Sequence, residues 1–250
     1  MPHPASDHFQ GKSVPEHLIE ARTKGMQTSA EIHGVEMSGA QGAFADSLRD
    51  TSVAMALLSL IIFPLLPTTQ ALLVIFLFLG GWALWKTCRS ALLGWSRLRR
   101  LHRVIEEERW EIEHHRTQER QELMEIYQAK GFEGELLTQV LDILMADNNR
   151  LLEIMLTEEL GLSLETYEHP LKQAFGAFIG SIIAPLCGFL FYLLVPSYGF
   201  IFAAIPLFLA ASLWTAKIEN IRLLPSFVWN SSLFGLIFGL VYFTQKIFLV

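Results

Sequence analysis

Three long stretches of this chain carry no Asp, Glu, Lys or Arg: residues 51–85, 173–216 and 223–245, with 35, 44 and 23 residues. An apolar stretch of about 18 residues or more reads as a membrane span. In hydrocarbon only a helix or a closed barrel satisfies its own backbone, so each stretch is expected to be helical. Composition agrees: 52% of residues are hydrophobic and 18% charged, against about 25% charged in an average soluble domain. A soluble enzyme, a secreted disulfide scaffold and a disordered chain are excluded. Cys88 and Cys187 are far apart and form no CxxC pair, so no disulfide framework is expected.

The first run is too long for one crossing and carries Pro64, Pro67, Thr68 and Thr69 near its middle. Proline ends a helix and the small polar residues supply a turn, predicting a hairpin of helices over about 42–66 and 69–85. Residues 51–66 alone would reach only roughly 24 Å, short of a ~30 Å hydrocarbon core. The first helix must therefore start earlier, taking Asp46, Arg49 and Asp50 into or near the inner leaflet. The second run divides at Pro196-Ser197-Tyr198-Gly199, predicting helices over about 171–195 and 200–216. A fifth covers about 226–245.

Five crossings put the termini on opposite sides. Arg89, Arg97, Arg99, Arg100, Arg103, Lys172, Lys217 and Arg222 all fall on one side of that arrangement, and only Lys246 on the other. The positive-inside rule makes the N-terminus cytosolic and puts the C-terminus on the far side. Residues 1–41 are polar and lack the pattern of a signal peptide. They are expected to be a loosely ordered cytosolic arm, followed by membrane helices over 42–86, a cytosolic insert over 87–170 and membrane helices over 171–250.

The insert concentrates the acids. Residues 101–170 hold 17 of the 25 Asp and Glu against six Lys and Arg, a local net charge of −11. Nothing offers the basic patch that phosphate binding requires, so no nucleic-acid partner is expected. Residues 90–127 contain no Pro and one Gly, predicting a long helix continuing out of the membrane to a C′ glycine at Gly131. Two shorter helices follow over 133–146 and 147–160, the last closed by Gly161. On the long helix Glu111, His114, Glu122 and Glu125 fall within an arc of roughly 80° at about 100° per residue. Met155 and Glu159, four apart, share a face of the last helix. If the two faces meet, their oxygen, nitrogen and thioether donors surround a divalent cation, and the softer donors favour Fe²⁺ or a similar transition metal. Composition alone favours a blander reading, a solvated acidic helix laced with pairs to Arg109, Arg116 and Arg120, with Met155 as core filler.

Three segments, Glu119-Arg-Gln-Glu-Leu-Met-Glu-Ile-Tyr127, Lys130-Gly131-Phe132-Glu133 and Met155-Leu-Thr-Glu-Glu-Leu-Gly-Leu162, resemble the cytosolic domain of the vacuolar iron transporter family. The arrangement is similar too: a metal-binding three-helix domain between spans 2 and 3 of five in an all-α membrane protein. The resemblance implies a homodimeric, proton-coupled exporter of Fe²⁺ or Mn²⁺ rather than an enzyme, with no permanently bound cofactor. The family's ligand pattern is two Glu three apart, two more Glu eight further on and three apart, then Met and Glu four apart. Carried over, it falls on Glu111, His114, Glu122, Glu125, Met155 and Glu159, with His at the second position.

The family's first span carries a metal-handling Asp, for which Asp50, with Asp46 one turn earlier, is the counterpart; these are the expected transport-path residues. Charged groups inside a span are costly and functional by default. The Met and Glu of the family's second span have no counterpart over 71–95, where Lys86 and Arg89 stand instead. That departure keeps an alternative open: a membrane-anchored metal-binding or scaffold protein that has lost transport. A structural membrane protein with an acidic arm is a third reading. Short loops and no targeting signal point to a bacterial inner membrane. Gly176-x-x-x-Gly180 and Gly235-x-x-x-Gly239 are expected to let helices approach closely.

Overall fold

The computed structural model describes residues 12–29, 39–162 and 168–249. The described elements are all helical, in the order α1 (Val14–Ser29), α2 (Gly39–Leu65), α3 (Thr68–His114), α4 (Arg116–Ala129), α5 (Gly134–Met145), α6 (Asn148–Ile154), a π-helical turn (Met155–Glu159), α7 (Pro170–Leu194), α8 (Gly199–Ile218) and α9 (Leu223–Leu249). They divide into two compact units. Residues 68–95 of α3 belong to the first unit described below and residues 96–114 to the second.

The apolar unit holds α2, α7, α8, α9 and the first part of α3. Among the described residues these five helices are the ones long and apolar enough to cross a membrane. The expected spans and turns match closely. At 27 residues α2 is roughly 40 Å long, and its early start at Gly39 brings Asp46, Arg49 and Asp50 into the helix. A carboxylate from far along the chain caps that start: Ala40 N–H donates to Glu168 Oε2 at 2.8 Å, where the helix dipole favours an anion.

Small residues set the packing of α2 on α7 and α8. A Cβ on Gly176 would lie 2.1 Å from the Ala40 carbonyl oxygen, and one on Gly180 would lie 2.3 Å from that of Phe44. These distances are far inside van der Waals contact, so glycine is what lets the two backbones meet. The first GxxxG segment thus packs α7 on α2 of its own chain. Nothing lies within 4 Å of a Cβ built on Gly235 or Gly239 of the second. Above this contact Met55, Ala56, Ala184, Phe200, Ala203 and Ala204 form the core, joined by Ile75 and Leu79 of α3.

The acidic unit holds α1, the end of α3, α4, α5, α6 and the π turn. Two sequence expectations fail here. Part of the arm expected to be loosely ordered folds as α1. Ser13 starts it, with both its N–H and its hydroxyl donating to the Glu16 carboxylate at 3.1 and 2.9 Å, the carboxylate half of a capping box. Leu18 and Ala21 are buried, Ala21 in the core of this unit. The rest of the arm lies mostly outside the described residues.

The second correction concerns the long helix, which is not continuous over 90–127. It ends at His114, His115 leaves the helical region at φ −125° and ψ 34°, and α4 restarts at Arg116. Local ring contacts and long-range arginine bonds coincide with this break. The Trp110 ring stacks on His114 at 4.4 Å and meets His115 edge-on at 5.4 Å. Arg116 donates to the Met145 carbonyl and, at 2.6 Å, to Asn148 Oδ1. Arg120 bonds Asp142 at 2.9 Å, so these arginines tie α4 to the following helices. The later boundaries are as expected: Gly131 (φ +93°) follows α4 and Gly161 (φ +65°) follows the π turn, both in the left-handed region that glycine tolerates.

Candidate metal centre

Carboxylates occupy positions on the buried stripes where apolar residues belong. In α4 the buried residues are Glu119, Glu122, Leu123 and Ile126, the i, i+3, i+4, i+7 spacing by which a helix faces a core. The end of α3 buries Leu101, Val104, Glu108 and Ile112, and the π turn region buries Met155, Leu156, Glu159 and Leu160. Removing ionised carboxylates from water is expensive unless they are paired, protonated or bound to a cation.

The stripes converge. Among the described residues, one group brings carboxylate oxygens of Glu108, Glu119 and Glu159 within 4.8 Å of one another. A second brings together Glu122, Glu159 and a ring nitrogen of His17, with His17 Nε2 3.6 Å from Glu122 Oε1. Glu159 belongs to both. It ends the π turn, where the Leu160 N–H reaches back five residues to the Met155 carbonyl at 3.2 Å; such turns often mark functional sites.

Crowding shows in the acidities. Burial pushes the Glu119 carboxyl up to about 11, with further repulsion from Glu108, Glu122, Glu159 and Glu111. Burial also pushes Glu122 up to about 8, with repulsion from Glu111 adding to it and a hydrogen bond with Glu159 opposing it. Both groups are therefore biased toward the protonated form near neutral pH. A divalent cation can replace those protons as the neutralising charge.

Of the expected ligands, Glu122 and Glu159 lie at the centre. Glu111 is half-buried and close enough to raise both Glu119 and Glu122. Met155 is fully buried in the same core as Ile112, Leu123 and Leu156. His114 and Glu125 are exposed and belong to neither group; His114 lies against Trp110 with Nδ1 2.8 Å from the Trp110 carbonyl oxygen. Glu108, Glu119 and His17 were not anticipated. The interrupted stripes Leu101-Val104-Glu108-Ile112 and Glu119-Glu122-Leu123-Ile126 are the signal that finds the first two. The Ser13–Glu16 capping pair points to the helix that carries His17.

In the apolar unit the two expected path residues sit in an ion-pair chain. Buried Asp46 accepts from Arg49 Nη2 at 2.8 Å, Arg49 Nε lies 3.8 Å from Asp50 Oδ1, and Lys86 Nζ lies 3.0 Å from Asp50 Oδ2. Lys86 is itself buried. A cavity of about 320 Å³ near the Ser59–Pro64 end of α2 includes Ser197, Tyr242 and Gln245 in its lining but no acidic residue, so it offers no carboxylate to a cation.

Fold and site together define a helical membrane protein with a second unit built around buried carboxylates. The profile of the VIT family matches residues 95–244, and the chain belongs to that family. With five apolar helices of spanning length, this makes it an integral membrane protein in a family of metal-ion transporters. The comparison with curated proteins returned no match. The spacing of three, eight and three is met by glutamate at all four positions by Glu108, Glu111, Glu119 and Glu122. That register starts three residues before the expected one, needs no histidine, and contains the residues that converge.

Proposed function

We propose that this chain carries Fe²⁺ or Mn²⁺ out of the cytosol in exchange for protons. The observation that carries the reading is the meeting of Glu108, Glu119, Glu122 and Glu159 in a buried space. Membership of a family of membrane metal-ion transporters supports reading the cluster as a cation site. Glu159, shared by both groups, would bridge two cation positions, with Glu111 at the edge; Met155, buried four residues before Glu159, is the available thioether. Carboxylate with thioether favours a transition cation over Mg²⁺ or Ca²⁺. Because the bound cation needs ionised ligands, loading releases the protons that Glu119 and Glu122 hold, which supplies a chemical basis for proton exchange.

The basic residues flanking the apolar runs support an acidic unit and N-terminus in the cytosol. In this reading the onward path passes Asp46 and Asp50, and an arriving cation displaces the Lys86 ammonium from Asp50. The carrier is taken to be a homodimer in a bacterial inner membrane. Proteoliposomes enclosing a metal-sensitive dye test the reading. Saturable Mn²⁺ or Fe²⁺ flux that responds to a pH gradient supports it; no saturable flux under either condition contradicts it.

One observation favours a second reading. Lys86 already places a fixed positive charge on Asp50, as in a membrane-anchored metal-binding protein that no longer transports. Metal binding by the acidic unit without flux selects this alternative.

A further inference from the structure

We infer that α1 is a ligand-bearing cover on the acidic cluster, with His17 supplying an imidazole nitrogen to a transition cation held by Glu122 and Glu159. The inference rests on the metal-binding reading above and assigns part of the site to the segment that precedes all the spans.

Three observations carry it. The helix is seated rather than adjacent: Leu18 and Ala21 are buried, and Ala21 packs in the core that contains Leu101, Val104 and Met155. His17 directly precedes Leu18, and its side chain is only 21% exposed. The distances suit shared coordination better than a direct bond. His17 Nε2 is 3.6 Å from Glu122 Oε1, beyond ordinary hydrogen-bond length. Two donors each about 2.1–2.2 Å from one ion lie roughly 3 Å apart at a right angle and farther apart as the angle opens, so 3.6 Å is a separation that two ligands of one ion can take. Glu159 completes the set with an oxygen within 4.8 Å of both.

The chemistry follows from the donor set. Carboxylates alone suit hard cations, whereas an added imidazole nitrogen shifts preference away from Mg²⁺ and Ca²⁺ toward Fe²⁺ and later transition metals. The group of Glu108, Glu119 and Glu159 has no imidazole. The two positions sharing Glu159 therefore differ in donor type, and the imidazole adds to the transition-metal preference of the position under α1.

The test uses the full-length protein in detergent, loaded with Mn²⁺ and examined by pulsed electron paramagnetic resonance for nitrogen coupling from a bound imidazole. The wild type is expected to show that coupling. His17→Ala and His17→Gln are each expected to abolish it and to weaken Mn²⁺ binding on the order of tenfold, with Ca²⁺ binding little changed. His114→Ala is expected to retain the coupling. Mn²⁺ bound without nitrogen coupling in the wild type, or coupling that survives both His17 substitutions, overturns the inference and leaves the carboxylate site standing. No Mn²⁺ binding, or binding that Glu159→Gln leaves unchanged, overturns the metal site itself and this inference with it.

Discussion

Replacing Glu119 by Gln keeps the shape of a fully buried side chain and removes its titration. In the folded protein this carboxyl is pushed up to about 11 by burial and by the neighbouring acids, from an ordinary value of 4.5. Between those values the folded chain holds a proton that the unfolded chain releases, so stability falls as pH rises. The loss is about 1.4 kcal/mol per pH unit for each such group. From pH 4.5 to 7 it reaches about 3 kcal/mol for Glu119 alone, a large share of the 5–15 kcal/mol typical of a domain. Glu122, pushed up to about 8, contributes a similar slope that ends near that pH. In the cation-free wild type both groups make stability fall as pH rises between pH 5 and 7, together at up to roughly twice the slope of one. Glu119→Gln should remove roughly half of this slope and be the more stable protein at pH 7. Denaturant unfolding of the full-length protein in detergent, followed by tryptophan fluorescence at pH 5, 6 and 7 with chelator present, measures the difference. If the two proteins lose stability in parallel as pH rises, Glu119 is not a buried carboxyl held protonated, and the electrostatic argument for the site fails.

Glu159→Gln, which alters the residue common to both groups, should lower Mn²⁺ affinity about a hundredfold by calorimetric titration. Glu125→Gln and His114→Ala should leave it within about twofold; equal losses would restore the register three residues later. Mn²⁺ binding at pH 7 should release one to two protons per ion, roughly, read from the heats in buffers of different ionisation enthalpy; zero release contradicts cation–proton exchange. Lys86→Met should increase divalent-cation binding at Asp46 and Asp50, measured against the same substitution with Asp50→Asn, and an unchanged affinity would remove Lys86 as a competitor. Gly180→Leu, whose Cβ would begin 2.3 Å from the Phe44 carbonyl oxygen, should cost at least about 2 kcal/mol by forcing α2 from α7; wild-type stability would refute that close approach.

The membrane half was legible because hydrocarbon demands runs of apolar residues and turns need Pro, Gly and small polar side chains. Residues 51–85 and 173–216 therefore divided close to the observed boundaries at Leu65, Thr68, Leu194 and Gly199. The acidic unit was less legible, because its decisive features are tertiary. The break at His115 coincides with the bonds of Arg116 to Met145 and Asn148, and no proline or glycine marks it. The ligand register was ambiguous because the three-eight-three spacing fits twice, once through Glu111, His114, Glu122 and Glu125 and once through Glu108, Glu111, Glu119 and Glu122. Only burial separates them: Glu108 and Glu119 replace apolar residues on core stripes, while His114 and Glu125 are exposed. His17 came from a segment whose polar composition hid a short helix seated by Leu18 and Ala21.

The most direct measurement is anomalous X-ray diffraction from crystals of the full-length protein grown with Mn²⁺. A manganese peak is expected about 2.2 Å from carboxylate oxygens of Glu159 and of Glu122 or Glu119. Manganese bound only elsewhere, or no ordered manganese with this cluster intact, would contradict it.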